Sequence, residues 1–295
     1  MRYFLYILMA FALISCQKEI PFEGAGTEPS MVLNGALEAG EFPSVNVSQN
    51  RSILEDPNRY TPIQLATVTL LNVTDQTTET LAHSLAGNYT SSSITIEEGK
   101  EYQITIEDTN LPTVTASQTI PNGTTILSID TLTTVHVLEP YFDLNVRFQD
   151  NPNEENYYQL EVIGGFYQYF KDTVTFEFDS VFVQQPMPFQ SFDPIFGNKG
   201  FGGQRLLFSD AELPASQYTL NLSLETYLTA LGGTFTISLA NVSRDYYLYY
   251  LSRANQSEKG ILPNSEPVPV YSNTSNGFGI FGSLNAVRDS VVLDF

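Results

Sequence analysis

Apolar and polar residues alternate with a period of two along most of this chain, a pattern that fits β-strands and suits a helix poorly. In residues 101–108 (EYQITIED), Tyr102, Ile104 and Ile106 fall on one face, with Gln103, Thr105 and Glu107 on the other. Residues 31–37 (MVLNGAL), 44–48 (SVNVS), 64–73 (QLATVTLLNV) and 113–120 (TVTASQTI) are further short segments of this kind, separated by turn-forming residues. Their number and spacing predict a sandwich of immunoglobulin-like or transthyretin-like size over residues 31–122.

A second, larger β domain is expected over residues 123–295, with strands at 144–150, 156–164, 173–183, 217–225 and 233–242. In residues 173–183 (TVTFEFDSVFV), Val174, Phe176, Phe178 and Phe182 alternate with Thr175, Glu177 and Asp179, which predicts a half-buried strand. Residues 243–258 (SRDYYLYYLSRANQSE) carry the one convincing helical pattern. Ser243 suits the N-cap, Asp245 lies in the first turn, and Tyr246, Tyr247, Tyr250, Leu251 and Ala254 form an apolar stripe to pack on a sheet. The expected fold is therefore all-β: an N-terminal sandwich, then a larger β domain with one packed α-helix.

Phenylalanines concentrate between Phe166 and Phe201, and from Gln184 onward the stretch has no strand period and several Pro and Gly residues. A long irregular loop in a compact domain is more often functional than decorative. Phe189, Phe192 and Phe196 are thus candidate partner or ligand contacts, and packing over the sheet is the competing account.

The chain has a single cysteine, Cys16. It follows Arg2, the apolar run 4–14 (FLYILMAFALI) and the small residue Ser15, so residues 1–15 read as a signal peptide. The run is shorter than the roughly 20 residues a membrane-spanning helix needs. Residues 13–16 (LISC) resemble a bacterial lipobox, in which the cysteine is lipidated and becomes the first mature residue. Each buried methylene adds about 0.8 kcal/mol, so two or more acyl chains hold a soluble domain at a membrane. Residues 16–30, rich in Gly, Pro and Glu, then read as a lipidated anchor and flexible tether. A catalytic thiol is disfavoured because it needs a base and a built pocket.

With 33 acidic and 13 basic residues the formal charge is -20, a surface that repels phosphate. Nucleic acid is excluded as a partner, and attachment to an anionic bilayer must come from lipid on Cys16. The lipid anchor and strands of unequal length also argue against a transmembrane barrel. Residues 277–282 (GFGIFG) match a dinucleotide-binding glycine pattern, but too few residues follow for the required crossover helix. His83 and His136 are the only histidines and fall in different expected domains, so a zinc cluster lacks ligands. Residues 150–156 (DNPNEEN) offer oxygens to calcium but place Pro152 and Glu155 where an EF-hand loop wants a ligand and a glycine; a polar loop between strands is the simpler account. No metal, cofactor or catalytic residue is expected.

Residues 265–283 (SEPVPVYSNTSNGFGIFGS) resemble the closing motif of a Bacteroidota lipoprotein family known as domain of unknown function 4249. Further similar stretches run in order from MVLNGAL at Met31 through GNYTSSSITIEEGKEYQITI at Gly87 and VRFQDNPNEENYYQLEV at Val146 to SRDYYLYYLS at Ser243. The resemblance implies a lipid-anchored outer-membrane protein beside a TonB-dependent transporter, and the expected role is that of a non-enzymatic accessory protein on either face of that membrane. It supplies no catalytic residues. A surface adhesin or scaffold is the alternative, and a polymer hydrolase the third reading. Within the closing motif, Gly277, Gly279 and Gly282 are expected to permit tight turns or close backbone approach, with Tyr271, Phe278 and Phe281 as packing or docking residues.

Overall fold

Alternation in the first half resolves into eight strands: β1 (Met31–Glu38), β2 (Ser44–Gln49), β3 (Thr67–Asn72), β4 (Thr77–Thr80), β5 (Ala82–His83), β6 (Asn88–Thr90), β7 (Glu101–Glu107) and β8 (Val114–Thr119). The second half adds β9 (Thr125–Thr134), β10 (Tyr141–Gln149), β11 (Tyr157–Lys171), β12 (Phe178–Pro186), β13 (Phe189–Ser191), β14 (Arg205–Ser209), β15 (Gln217–Glu225), β16 (Gly233–Val242), the helix α1 (Arg244–Lys259) and β17 (Phe278–Leu293). The structure is a computed structural model that describes residues 28–51, 61–134, 141–171, 173, 177–191, 193, 203–225, 233–259 and 269–293. Every element named here belongs to one compact unit.

A single sheet runs through both halves in the order β12-β11-β16-β17-β1-β2-β6-β5, with β14 also pairing β11. Two four-stranded sheets, β4-β3-β7-β8 and β13-β15-β10-β9, accompany it. A core in the first half gathers Met31, Leu33 and Val47 of the large sheet with Val68, Leu70, Tyr102, Ile104 and Ile106 of the first small sheet. Its counterpart in the second half gathers Tyr158, Leu160, Val162, Phe235 and Ile237 with Phe142, Leu144, Val146, Leu220 and Leu222. All the β7 residues expected to face inward do so, because a half-covered sheet buries every second side chain.

The last strand, β17, joins these halves. It pairs in parallel with β1 from Val32↔Phe278 to Glu38↔Leu284, then runs antiparallel to β16 from Val242↔Leu284 to Gly233↔Leu293. Along one face, Phe281 fills the first core while Val287 and Val291 pack on the second. Close approach explains the glycines here. Gly279 has φ +103°, and a Cβ on it would lie 1.9 Å from the Leu33 carbonyl oxygen; one on Gly277 would meet Val114 at 2.6 Å, and one on Gly282 would meet Tyr246 at 2.8 Å.

Helix α1 begins one residue after Ser243, whose Oγ accepts the Tyr246 N–H at 3.4 Å. Tyr246 packs with Ala240 and Val242, and Tyr247 and Tyr250 lie against the same cluster. The expected stripe stops short of its last member, since Ala254 is exposed on the outer turn. Two other expectations are corrected. Strand β12 starts later and ends later than 173–183, at Phe178–Pro186, so strand structure continues past Gln184 and returns at Phe189–Ser191. It is also not half-buried: Phe178 and Phe182 are 77% and 49% exposed, because β12 is covered on neither face at any residue but the half-buried Val183.

Candidate functional site

Strand β11 begins as a central strand and ends as one arm of an exposed hairpin. From Tyr157 to Phe166 most residues are buried or half-buried; from Tyr167 to Lys171 all are exposed. Two glycines mark the change. A Cβ on Gly164 would come within 2.8 Å of the Met187 sulfur, and one on Gly165 would meet the Phe182 ring tip at 2.8 Å. Glycine lets Met187 fill the core on one face and the Phe182 ring lie over the backbone on the other.

Beyond them, β11 and β12 pair through Phe166↔Val183, Tyr167↔Phe182, Gln168↔Val181, Tyr169↔Ser180, Phe170↔Asp179 and Lys171↔Phe178. Alternation places Tyr167, Tyr169, Lys171, Phe178 and Phe182 on the face shared with α1. The Tyr167 and Phe182 rings meet edge to face with centroids 5.3 Å apart, and Lys171 Nζ lies 5.8 Å from the Phe178 ring centroid. The opposite face carries Phe170 and Val181, also exposed. Exposed apolar side chains thus gather on both faces of one hairpin, which makes the hairpin a candidate interaction surface.

The expected contact residues fare differently. Phe189 is 2% exposed, pairs opposite Leu224 of β15 and belongs to the second core; Phe281 is fully buried in the first. Neither reaches the surface, so both are corrected from contacts to core residues. Phe278 is 54% exposed at the start of β17. Tyr271 is half-buried and donates its hydroxyl to Asp245 Oδ1 in the first turn of α1. Burial, and then this carboxylate, push its phenol up to about 12. Cys16, Phe192 and Phe196 lie outside the described residues, as does His136.

Described polar residues of the closing motif are spent on architecture. Asn273 donates to Asp245 Oδ2 at 3.2 Å and to the Phe281 carbonyl at 2.8 Å, while its Oδ1 accepts the Phe281 N–H at 2.9 Å. Gln118 of β8 donates to Ser243 Oγ at 2.8 Å, and Ser283 Oγ donates to the Thr119 carbonyl at 2.8 Å. These bonds tie β8, the start of α1 and β17 together.

The loop 150–156 forms a second polar cluster, beside a cavity of about 260 Å³ lined in part by Asn122, Gln149 and Glu154. Buried Asp150 accepts the Tyr158 hydroxyl at 2.6 Å and Asn156 Nδ2 at 3.4 Å. Asn156 Oδ1 accepts Asn241 Nδ2 at 2.8 Å, and its N–H donates to Asp210 Oδ2 at 2.8 Å. Burial, reinforced by Asp150, drives the Tyr158 phenol far above its ordinary value. Groups so fully committed to one another lock the loop in place and leave the aromatic hairpin as the stronger candidate site.

The hairpin residues Tyr167, Tyr169 and Phe170 did carry a sequence signal. In FYQYF (166–170) aromatics occupy both parities of a strand, so no face is left polar. A family model described as Domain of unknown function (DUF4249) matches residues 17–290. No curated protein matches the chain.

Proposed function

For a chain that belongs to the DUF4249 family, we propose the role of a lipid-anchored, non-enzymatic accessory protein of the outer membrane that docks on a TonB-dependent transporter through its aromatic hairpin. The observation that carries this reading is the exposure of Tyr167, Tyr169, Phe170, Phe178, Val181 and Phe182 on one projecting β11–β12 arm. Aromatic side chains supply large contact area at low entropic cost, and they dominate the energetics of protein interfaces. The arm grows from the large sheet that runs through both halves of the molecule, so its contact face is held in place before binding. Lipidation at Cys16 would keep the protein at the membrane where a barrel partner resides, and the charge of -20 disfavours attachment by a basic patch.

The test is an affinity capture of the native lipoprotein from detergent-solubilised outer membrane, with mass spectrometry of what accompanies it. A transporter barrel is expected in stoichiometric amount with the natural chain and is expected to vanish with the triple substitution Tyr167→Ser, Tyr169→Ser, Phe178→Ser, whose circular dichroism should be unchanged. In the same preparation, Cys16→Ser protein should leave the membrane in a salt wash. Recovery of the natural lipoprotein alone, in a detergent that preserves a known transporter complex, would overturn the docking reading in favour of an independent adhesin.

A further inference from the structure

The hairpin has an edge as well as faces. Among the described residues no strand pairs with the outer side of β12. Its hydrogen-bonding phase follows from one bond at the base of the arm, where the Met187 N–H donates to the Val162 carbonyl at 2.7 Å. Bonded pairs in an antiparallel ladder recur every second residue. Gln185, Val183, Val181 and Asp179 therefore turn their backbone groups inward to β11, while Ser180, Phe182, Gln184 and Pro186 turn theirs outward. Three observations agree with this phase. The Ser180 N–H is met by its neighbour Asp179 Oδ1 at 2.7 Å, the Pro186 carbonyl accepts Gln204 Nε2 at 3.4 Å, and proline occupies a position whose missing N–H would have pointed away from the sheet.

We infer that the outer edge of β12 pairs antiparallel with β12 of a second copy of this chain, about a two-fold axis at Phe182. In that register Phe182 faces its own counterpart, Val181 faces Val183, Ser180 faces Gln184, Asp179 faces Gln185 and Phe178 faces Pro186. No carboxylate meets another across the pair, although the chain as a whole carries a charge of -20. The outward backbone groups of residues 180, 182 and 184 exchange roughly six hydrogen bonds once the Ser180 N–H trades Asp179 Oδ1 for the Gln184 carbonyl of the second copy. Apolar side chains that are exposed in one copy cover each other across the pair. Both copies present the same face to the same side, so the Tyr167 and Phe182 rings of the two arms form one continuous aromatic surface. Unpaired edge strands are templates for this kind of association, and closed two-fold pairing uses the edge up. The inference does not depend on a transporter.

Sedimentation of the purified full-length lipoprotein in detergent, across the sub-millimolar range, reads the association directly. The natural chain is expected to reach the mass of a dimer, and to do so more readily as salt rises, because salt screens the repulsion between two acidic copies and leaves the ladder intact. Phe182→Lys and Phe182→Glu should each weaken association at least tenfold, and an equal mixture of the two should restore it, since only a register that sets residue 182 against itself turns two repulsive pairs into an attractive one. Gln184→Pro removes an outward N–H and leaves the β11–β12 bonds intact; it should weaken association to a similar extent with unchanged circular dichroism. A natural chain that stays monomeric, or a dimer indifferent to these substitutions, would overturn the proposal.

Discussion

Glu79 shows how one side chain on a strand end can secure a loop. Its carboxylate accepts the Ser91 hydroxyl at 2.5 Å, the Ser92 N–H at 2.8 Å and the Ile94 N–H at 3.0 Å. Burial alone would raise its pKa, but this set of donors outweighs burial and brings the carboxyl down to about 2 from an ordinary 4.5. Because the folded value lies below the unfolded one, the stabilisation is complete above about pH 4.5 and is lost as pH falls toward about 2. Glu79→Gln should therefore lower stability at neutral pH by about 1 kcal/mol or more and flatten the acid limb between those values, as read by denaturant titrations at a series of pH. Nothing in the sequence singles out Glu79, since its partners come from the loop after β6 and are brought near only by folding. The glycines of GFGIFG were legible, because a cluster of residues without side chains signals close approach whichever strand approaches.

At the scale of elements, β7 and the start of α1 were readable because their signals are local: period two in one, an N-cap and an aromatic stripe in the other. The half-buried reading of β12 failed because alternation reports which residues share a face and says nothing of whether another layer covers it. Strand β17 was hidden for a different reason. Its glycines interrupt the period, and its parallel partner β1 lies at the other end of the chain. The exposed arm carries its own prediction. Joining Phe166 to Val183 through an Asn-Gly turn removes the exposed residues and spares both cores, so thermal unfolding should shift by only a few degrees while self-association and partner capture are lost. A shift much beyond about 10 °C would show that the arm supports the fold rather than a contact.

For the whole molecule, the strand shared by two cores sets how stability is distributed. Phe281→Ala opens a cavity in the first core on the strand that also lines the second, and should cost about 3 to 5 kcal/mol. The expected result is one cooperative transition displaced for both halves, followed by hydrogen exchange at Ile104 in the first core and Leu222 in the second. Two separated transitions, with only the first displaced, would show that the halves are energetically independent. The parallel β1–β17 pair has a further consequence in time. A chain made from its N-terminus presents β1 long before β17, and one edge of β1 stays open until the segment around Phe278–Leu284 arrives. Closing so long a loop is slow, and β1 gains little from the contacts formed meanwhile. Completion of the first half is thus postponed until β17 has been made, which leaves shorter nascent chains open to proteases and makes the arrival of that distant strand the event that closes the N-terminal fold.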